Sequence, residues 1–128
     1  MRNTTVTLLA LATLAGATTA QAQDRVPAPT PEQTEFIGWL KLSNGEFQLY
    51  WAEADVRRPL AANCVSGAAD IGEMRQAGDL AGQKVRIVGS TVPWSEAVSG
   101  RIEQGRANIR NDCAGAFVIK ADAIRPAN

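Results

Sequence analysis

The chain has 128 residues, with 13 lysines and arginines balanced by 13 aspartates and glutamates, and it contains two cysteines and no histidine. This balance argues against duplex nucleic acid or an anionic membrane as a bulk electrostatic partner, because both favour a strongly basic protein face. Without histidine the chain lacks Ser-His-Asp and Cys-His catalytic sets and histidine-ligated zinc.

The first 22 residues have the pattern of a cleavable export signal. Arg2 supplies the positive charge, residues 6–15 form the apolar centre, and Ala20-Gln21-Ala22 is a small-x-small cleavage site. The apolar run of about ten residues is well short of the roughly 20 that a membrane-spanning helix needs. We therefore expect cleavage after Ala22, a periplasmic or secreted protein, and no stable membrane insertion after cleavage.

The rest of the chain divides into a short leader and one domain. Residues 23–34 contain Pro27, Pro29 and Pro31 and few apolar residues, which predicts a flexible Pro-rich leader. Residues 35–126 have the length of one small domain, with a thin core that benefits from a cross-link.

The domain opens with a predicted β-hairpin. Two β-type runs, residues 36–42 and 46–51, flank Ser43-Asn44-Gly45, and Asn-Gly supplies the positive φ angles of a tight turn. Alternation then divides the second run into two faces. The face that we expect in the core carries Phe47, Leu49 and Trp51. The opposite face carries Glu46, Gln48 and Tyr50.

A third strand and a short helix follow. Residues 62–66 are a short run for which we predict a strand that carries Cys64. Residues 71–77 predict a helix, and Asp70 followed by Glu73 is typical of a capping box at its start.

The C-terminal half is predicted to be β-structure. Residues 84–92 alternate as a strand with Val85 and Ile87 on one side. Residues 94–106 suggest a long excursion or a twisted hairpin, and residues 107–113 and 117–124 suggest strands. The pattern leaves open whether residues 117–124 form the fifth strand or an added sixth.

Export together with paired cysteines predicts a structural disulfide between Cys64 and Cys113. Such a bond would close a loop of about 50 residues and stabilise the fold by about 4 kcal/mol on a chain-entropy estimate. A reactive thiol is the weaker alternative, because the chain has no C-x-x-C motif and no histidine to lower a thiol pKa.

The order of elements, with a helix between the third and fourth strands, resembles the OB-fold, a small Greek-key barrel. Local residues add to the resemblance: Cys64 in the third strand, residues 79–89 (DLAGQKVRIVG) as the fourth, and Asn111-Asp112-Cys113 before a later one. The chain is similar here to secreted bacterial OB-fold proteins, including the tRNA-anti-like group and uncharacterised exported proteins of proteobacteria. The resemblance implies a mostly β fold with one short helix and a barrel of five to six strands. It also implies neighbouring third and fifth strands, which suits a Cys64–Cys113 bond.

No hydrolase or nucleotide-binding motif occurs in the sequence, and we expect no cofactor and no metal. Glu53 and Asp55 are the carboxylates that an enzyme of this type could use, although a solvated surface is the better interpretation. For binding, an aromatic side chain flanked by arginines is typical of surfaces that stack bases or sugars. The candidate ligand face consists of Tyr50, Trp94, Arg57, Arg58, Arg101, Arg106 and Arg110.

These observations favour a non-catalytic exported binding module. We expect its partner to be an envelope protein, a peptide or a small anionic ligand, and not duplex nucleic acid. The alternatives are a carboxylate-dependent envelope enzyme and a single-stranded nucleic-acid binder, the second of which the zero net charge disfavours.

Overall fold

The computed structural model describes residues 24–95, 102–104 and 107–127, so the predicted signal peptide lies outside the described residues. The strands are β1 (Glu35–Ser43), β2 (Glu46–Tyr50), β3 (Cys64–Ala68), β4 (Lys84–Pro93), β5 (Ile102–Gln104), β6 (Ala107–Ile109) and β7 (Phe117–Pro126). The α-helix is α1 (Ile71–Ala77), and 3-10 turns span Glu53–Arg57 and Gly78–Leu80.

Five strands close into a barrel in the order β1-β2-β3-β7-β4, with β4 pairing back onto β1. The β3–β7 pairing is parallel, and the other barrel pairings are antiparallel. Over the residues that it describes, the structure therefore confirms a mostly β fold with one short helix and a small OB-like barrel. It also resolves the open question about the C-terminus, because β7 is the fifth barrel strand and β5 and β6 form a separate two-stranded sheet.

The β1–β2 hairpin forms as predicted. Ser43 pairs with Glu46, which leaves Asn44 and Gly45 as a two-residue turn. Both have positive φ angles, 54° and 89°, as a tight turn that matches the strand twist requires.

Helix α1 has the predicted bounds, but the capping box is wrong. The Asp70 side chain makes no cap hydrogen bond. Glu73 Oε1 instead accepts a hydrogen bond from the Ile124 amide at 3.0 Å and forms an ion pair with Arg125. Glu73 therefore fastens α1 to β7, a tertiary contact that competes with the local cap.

The main apolar core fills the barrel. The alternation of β2 and β4 predicts this core correctly, since Phe47, Leu49, Val85 and Ile87 all lie inside. A side chain at Gly67 would collide with the Phe47 ring and the Ile119 carbonyl, so glycine there lets β3 approach β7. The buried members of this cluster are Phe36, Leu40, Phe47, Leu49, Val65, Ala69, Ala77, Val85, Ile87, Ile119, Ala121 and Ile124.

The segment before β1 runs along the barrel. At its start the Val26 amide donates to the Trp51 carbonyl at 2.9 Å, and Val26 packs beside Trp39 and Tyr50. At its end the Thr91 hydroxyl donates to the Pro31 carbonyl at 2.6 Å. The predicted leader thus contacts the barrel near both of its ends. Within the described ranges, no helix is long and apolar enough to cross a membrane.

Candidate functional site

Strand β2 is buried on both of its faces. Phe47 and Leu49 point into the barrel core, and Glu46, Gln48 and Tyr50 occupy the outer face. These three polar side chains are at most 3% exposed. Another part of the chain must therefore cover them and supply hydrogen-bond partners.

The covering segment is the connection between β6 and β7, residues 110–116, which we call the cover loop. Its backbone amides converge on the Glu46 carboxylate. Arg110 and Asn111 donate to Oε1, each at 2.8 Å, and Asp112 donates to Oε2 at 3.2 Å. A buried carboxylate with several such donors recovers much of the hydration that it loses on burial.

Side chains of β2 and β3 complete this network. The Ser66 hydroxyl donates to Glu46 Oε2 at 2.9 Å and accepts the Cys113 amide at 3.1 Å. Gln48 Nε2 also donates to Glu46 Oε2, at 3.2 Å, and the Tyr50 hydroxyl donates to Gln48 Oε1 at 2.8 Å. One chain of hydrogen bonds thus links the outer face of β2 to the cover loop.

The predicted disulfide fastens the same loop. Cys64 at the start of β3 is bonded to Cys113, with a Cα–Cα distance of 5.5 Å. Cys64 is 5% exposed, whereas Cys113 is only partly buried. The bridge and Glu46 therefore hold the cover loop at neighbouring points.

The cover loop also has internal order. The Asn111 amide group exchanges two hydrogen bonds with the Gly115 backbone, at 2.9 and 3.1 Å. Asn111 and Ala114 have positive φ angles of 61° and 58°. Asparagine tolerates this conformation, but it costs alanine about 1 kcal/mol, so contacts with the barrel must offset that cost.

Burial beneath the cover loop changes the acidity of Tyr50. Loss of hydration raises the pKa of the Tyr50 phenol above its ordinary value of 10.0, and the carboxylates of Asp55, Glu46 and Asp112 raise it further. The phenol therefore stays protonated and keeps donating to Gln48.

A second feature lies at one end of the barrel, between the β1–β2 turn and α1. It is an open groove of about 380 Å³ with Leu42 and Met74 at its base. Ile71 is 46% exposed beside them, and Arg75 is on the rim. The lining residues are Leu42, Ser43, Asn44, Gly45, Glu46, Ile71, Met74 and Arg75.

Comparison with known proteins returns no match among family models, curated proteins or solved structures.

The structure does not assemble the predicted ligand face around Tyr50. The expectation that Tyr50 is exposed is wrong, because its side chain has no exposed surface and packs among Trp39, Val56 and Cys64. Val26, Ala61 and Cys113 pack against the same cluster. Trp94 is partly buried against Ala68, Ile109 and Val118. Tyr50 lies on the outer face of β2, as the alternation predicts. No neighbouring residue in the sequence indicates that distant segments bury it.

The predicted arginines lie at the surface or outside the described residues. Arg57, Arg58 and Arg110 are exposed. Arg101 and Arg106 fall outside the described residues. A ligand role for the exposed arginines and Trp94 stays a prediction.

Of the two candidate carboxylates, Glu53 is partly exposed and Asp55 is buried and partnered within the chain. Asp55 is 5% exposed and accepts a hydrogen bond from Asn63 Nδ2 at 2.9 Å. Arg58 lies 3.3 Å from its other oxygen. A cleft of about 410 Å³ beside Asp55 is also lined by Asp24 and Arg25, so it carries both signs of charge. These contacts give Asp55 a structural task at the turn before β3.

The sequence does not predict two features of the structure, the Glu46 network and the groove. A glutamate directly after an Asn-Gly turn reads as a surface residue, because Glu is rarely buried without a partner. Three of its five hydrogen-bond donors are backbone amides 64–66 positions away, and backbone groups leave no residue-type signal. Across the described residues no group of acidic or sulfur side chains is arranged to hold a metal ion.

Proposed function

We propose that the protein is an exported, non-catalytic binding module with an OB-like barrel, and that its ligand is a small amphiphile with an apolar body and an anionic group. The groove between the β1–β2 turn and α1 is the observation that carries this proposal. On this view the resemblance to secreted bacterial OB-fold proteins extends from the barrel to a role in binding.

The groove combines the two properties that such a ligand needs. Leu42, Ile71 and Met74 offer apolar surface, and burying it against a ligand is worth about 25 cal/mol per Å². Arg75 is exposed on the rim and, within the described residues, belongs to no ion pair. A planar guanidinium binds a carboxylate or phosphate through two parallel hydrogen bonds.

The polar groups of the interior support a non-catalytic role. Glu46, Ser66 and Asp55 hold the cover loop and the turn before β3. The β2–β3 face, with which OB-folds bind oligonucleotides, lies beneath the cover loop. This arrangement favours a binding module over the carboxylate enzyme and over the single-stranded nucleic-acid binder.

The test is an amide NMR titration of the oxidised chain with octanoate, an apolar chain with a carboxylate, and with neutral octanol. We expect chemical-shift changes confined to the groove, at Asn44, Gly45 and α1. The Arg75→Gln variant should weaken octanoate binding by up to about 5-fold, since one exposed charge pair is worth up to about 1 kcal/mol, and should leave octanol binding unchanged.

Two variants make the titration specific. Arg57→Gln removes an equally exposed arginine away from the groove and should bind octanoate like the parent chain. Ile71→Ser removes exposed apolar surface and should weaken both probes. Equal effects of Arg75→Gln and Arg57→Gln, or shifts spread over the whole barrel, would contradict the groove as the ligand site.

Export has its own test. Mass spectrometry of the protein recovered from the cell envelope or the medium should show Gln23 as the first residue. A chain that retains Met1 would contradict the cleavage and leave the groove titration unaffected.

A further inference from the structure

One kind of contact holds the barrel strands together, and another kind holds the cover loop on the barrel. The barrel strands pair along continuous backbone ladders, and the barrel closes through β1, β2, β3, β7 and β4 without any residue of the cover loop. The cover loop reaches the β2–β3 face through the side chains of Glu46 and Ser66 and through the Cys64–Cys113 bond. Removing the cover loop would therefore break no strand pairing of the barrel.

We propose that residues 110–116 are a redox-controlled cover: the Cys64–Cys113 bond locks them over the β2–β3 face, and reduction of that bond frees them while the barrel stays folded. The face exposed in this way carries the carboxylate of Glu46, the amide of Gln48 and the hydroxyl of Ser66. Tyr50, at the edge of this face, loses its packing against Cys113. This inference does not rest on the groove, although Glu46 both lines the groove and anchors the cover loop.

Exposure decides which sulfur a reductant attacks. Cys113 is partly exposed, whereas Cys64 is 5% exposed and packs among Trp39, Tyr50 and Val56. The thiolate of a dithiol reductant attacks Cys113 Sγ, the S–S bond breaks, and Cys64 leaves as a thiolate that takes up a proton. The second thiol of the reductant then attacks the mixed disulfide, releases the Cys113 thiol and leaves the reductant as a disulfide, so two electrons pass to the protein.

The backbone of the cover loop favours its release. Ala114 holds a left-handed conformation at φ 58°, which costs about 1 kcal/mol. Once the bridge is broken, the contacts of the cover loop through Glu46 and Ser66 must offset this cost and the entropy of ordering the loop.

Amide hydrogen exchange on the oxidised chain, and on the chain reduced with dithiothreitol and alkylated, tests the proposal. In the oxidised chain the amides of Arg110–Cys113 should be protected to within about tenfold of those in β1 and β4. In the reduced chain they should exchange at least about tenfold faster than the β1 and β4 amides. Their rate should also change little with low urea, because local opening exposes little surface.

Two outcomes would overturn the proposal. If reduction abolishes the dispersed amide spectrum of the barrel, the bridge is a staple of the whole fold and not a lock on one loop. If the amides of the cover loop and of the barrel exchange at one rate with one urea dependence, the cover loop opens only when the barrel unfolds.

A Cys64→Ser/Cys113→Ser chain repeats the measurement without alkylated side chains, and it should reproduce the fast exchange at Arg110–Asp112. Oxidised Ser66→Ala is the matched control, because it loses one hydrogen bond to the cover loop and keeps the bridge. Its amides of Arg110, Asn111 and Asp112, which bond Glu46 and not Ser66, should stay protected. Fast exchange in this oxidised control would show that the bridge does not lock the loop.

The chain contains one tyrosine, which provides a second readout. 3-Fluorotyrosine at position 50 gives a single fluorine resonance, and reduction should shift it and make it sensitive to solvent. An absorbance titration of the unlabelled chain should show the pKa of Tyr50 falling toward its ordinary value, since opening restores hydration. An unchanged fluorine resonance would show that the cover loop stays packed against Tyr50 at Cys113.

Discussion

The two faces of β2 are equally buried, but different parts of the chain bury them. Phe47 and Leu49 lose their exposure when the strands close into a barrel. Glu46 and Gln48 lose theirs when a loop more than 60 positions away supplies hydrogen-bond donors to the carboxylate. Apolar packing tolerates many neighbours, whereas the polar face depends on a few donors at defined positions.

The alternation of residues in β2 predicts to which face each side chain points, but it does not predict whether that side chain is exposed. The inner face needs only the barrel, which its own apolar residues help to form. The outer face needs a specific segment at a specific place, so its stability rests on a small number of bonds. Variants on the two faces should therefore differ in how much they destabilise the fold and in which region they affect.

The largest expected effect is on the inner face. Phe47→Ala should lower the free energy of unfolding by about 3–5 kcal/mol, because it removes a fully buried ring and leaves a cavity. Urea denaturation measures this loss. Leu60→Ala, at a side chain that is 80% exposed, is the control and should stay within about 0.5 kcal/mol of the parent.

On the outer face, Glu46→Ala should lower the free energy of unfolding by about 2–3 kcal/mol. The change leaves the amides of Arg110, Asn111 and Asp112 without their carboxylate acceptor. Water can enter and accept some of these hydrogen bonds, which limits the loss. Urea denaturation again gives the magnitude, and amide exchange should place the loss of protection in the cover loop.

Glu32→Ala is the matched control for Glu46→Ala, because it removes the same charge from an exposed position. It should change the stability by less than about 0.5 kcal/mol. A Glu46→Ala chain as stable as the Glu32→Ala chain would mean that the buried carboxylate does not hold the loop.

The smallest expected effect on stability is at the contact of Glu73 in α1 with Ile124 and Arg125 in β7, which lies outside both faces of β2. The hydrogen bond from the Ile124 amide, with a further contribution from Arg125, holds the pKa of Glu73 below its ordinary value of 4.5. The charged form of Glu73 therefore contributes its full share of stability above pH 4.5. This share is lost as the pH falls through the lower pKa of Glu73 in the folded state. Arg125 is 57% exposed, so solvent limits the contribution to less than about 1 kcal/mol.

Unfolding free energies of the parent chain and of Glu73→Gln, measured from about pH 7 down to about pH 3, test this point. The difference between the two chains should shrink as the pH falls. A difference that stays constant over this range would show that the charge of Glu73 contributes nothing.

The elements that could be predicted are those whose signals are local. The Asn44-Gly45 turn, the bounds of α1 and the inward residues of β4 follow from neighbours in the sequence. The Cys64–Cys113 bond is a long-range contact that could still be predicted, because two cysteines allow only one intramolecular pairing.

The features that escaped prediction are contacts in which backbone groups take part. Glu73 was assigned to a cap at the start of its own helix, but it bonds the Ile124 amide across the fold. Tyr50 was placed on the correct face of β2 and was expected at the surface. The partner of Glu73 and the residues that pack against Tyr50 lie in distant segments, whose positions depend on the closed barrel.

The separation of the cover loop from its anchors along the chain also determines when its contacts form. Glu46 bonds amides 64–66 positions later, and Cys64 joins a cysteine 49 positions later. Contacts across such distances form slowly, because a long loop must close before they contribute stability. The Glu46 carboxylate therefore remains hydrated while the hairpin around it is already in place. Its dehydration requires that residues 110–112 have reached the β2–β3 face.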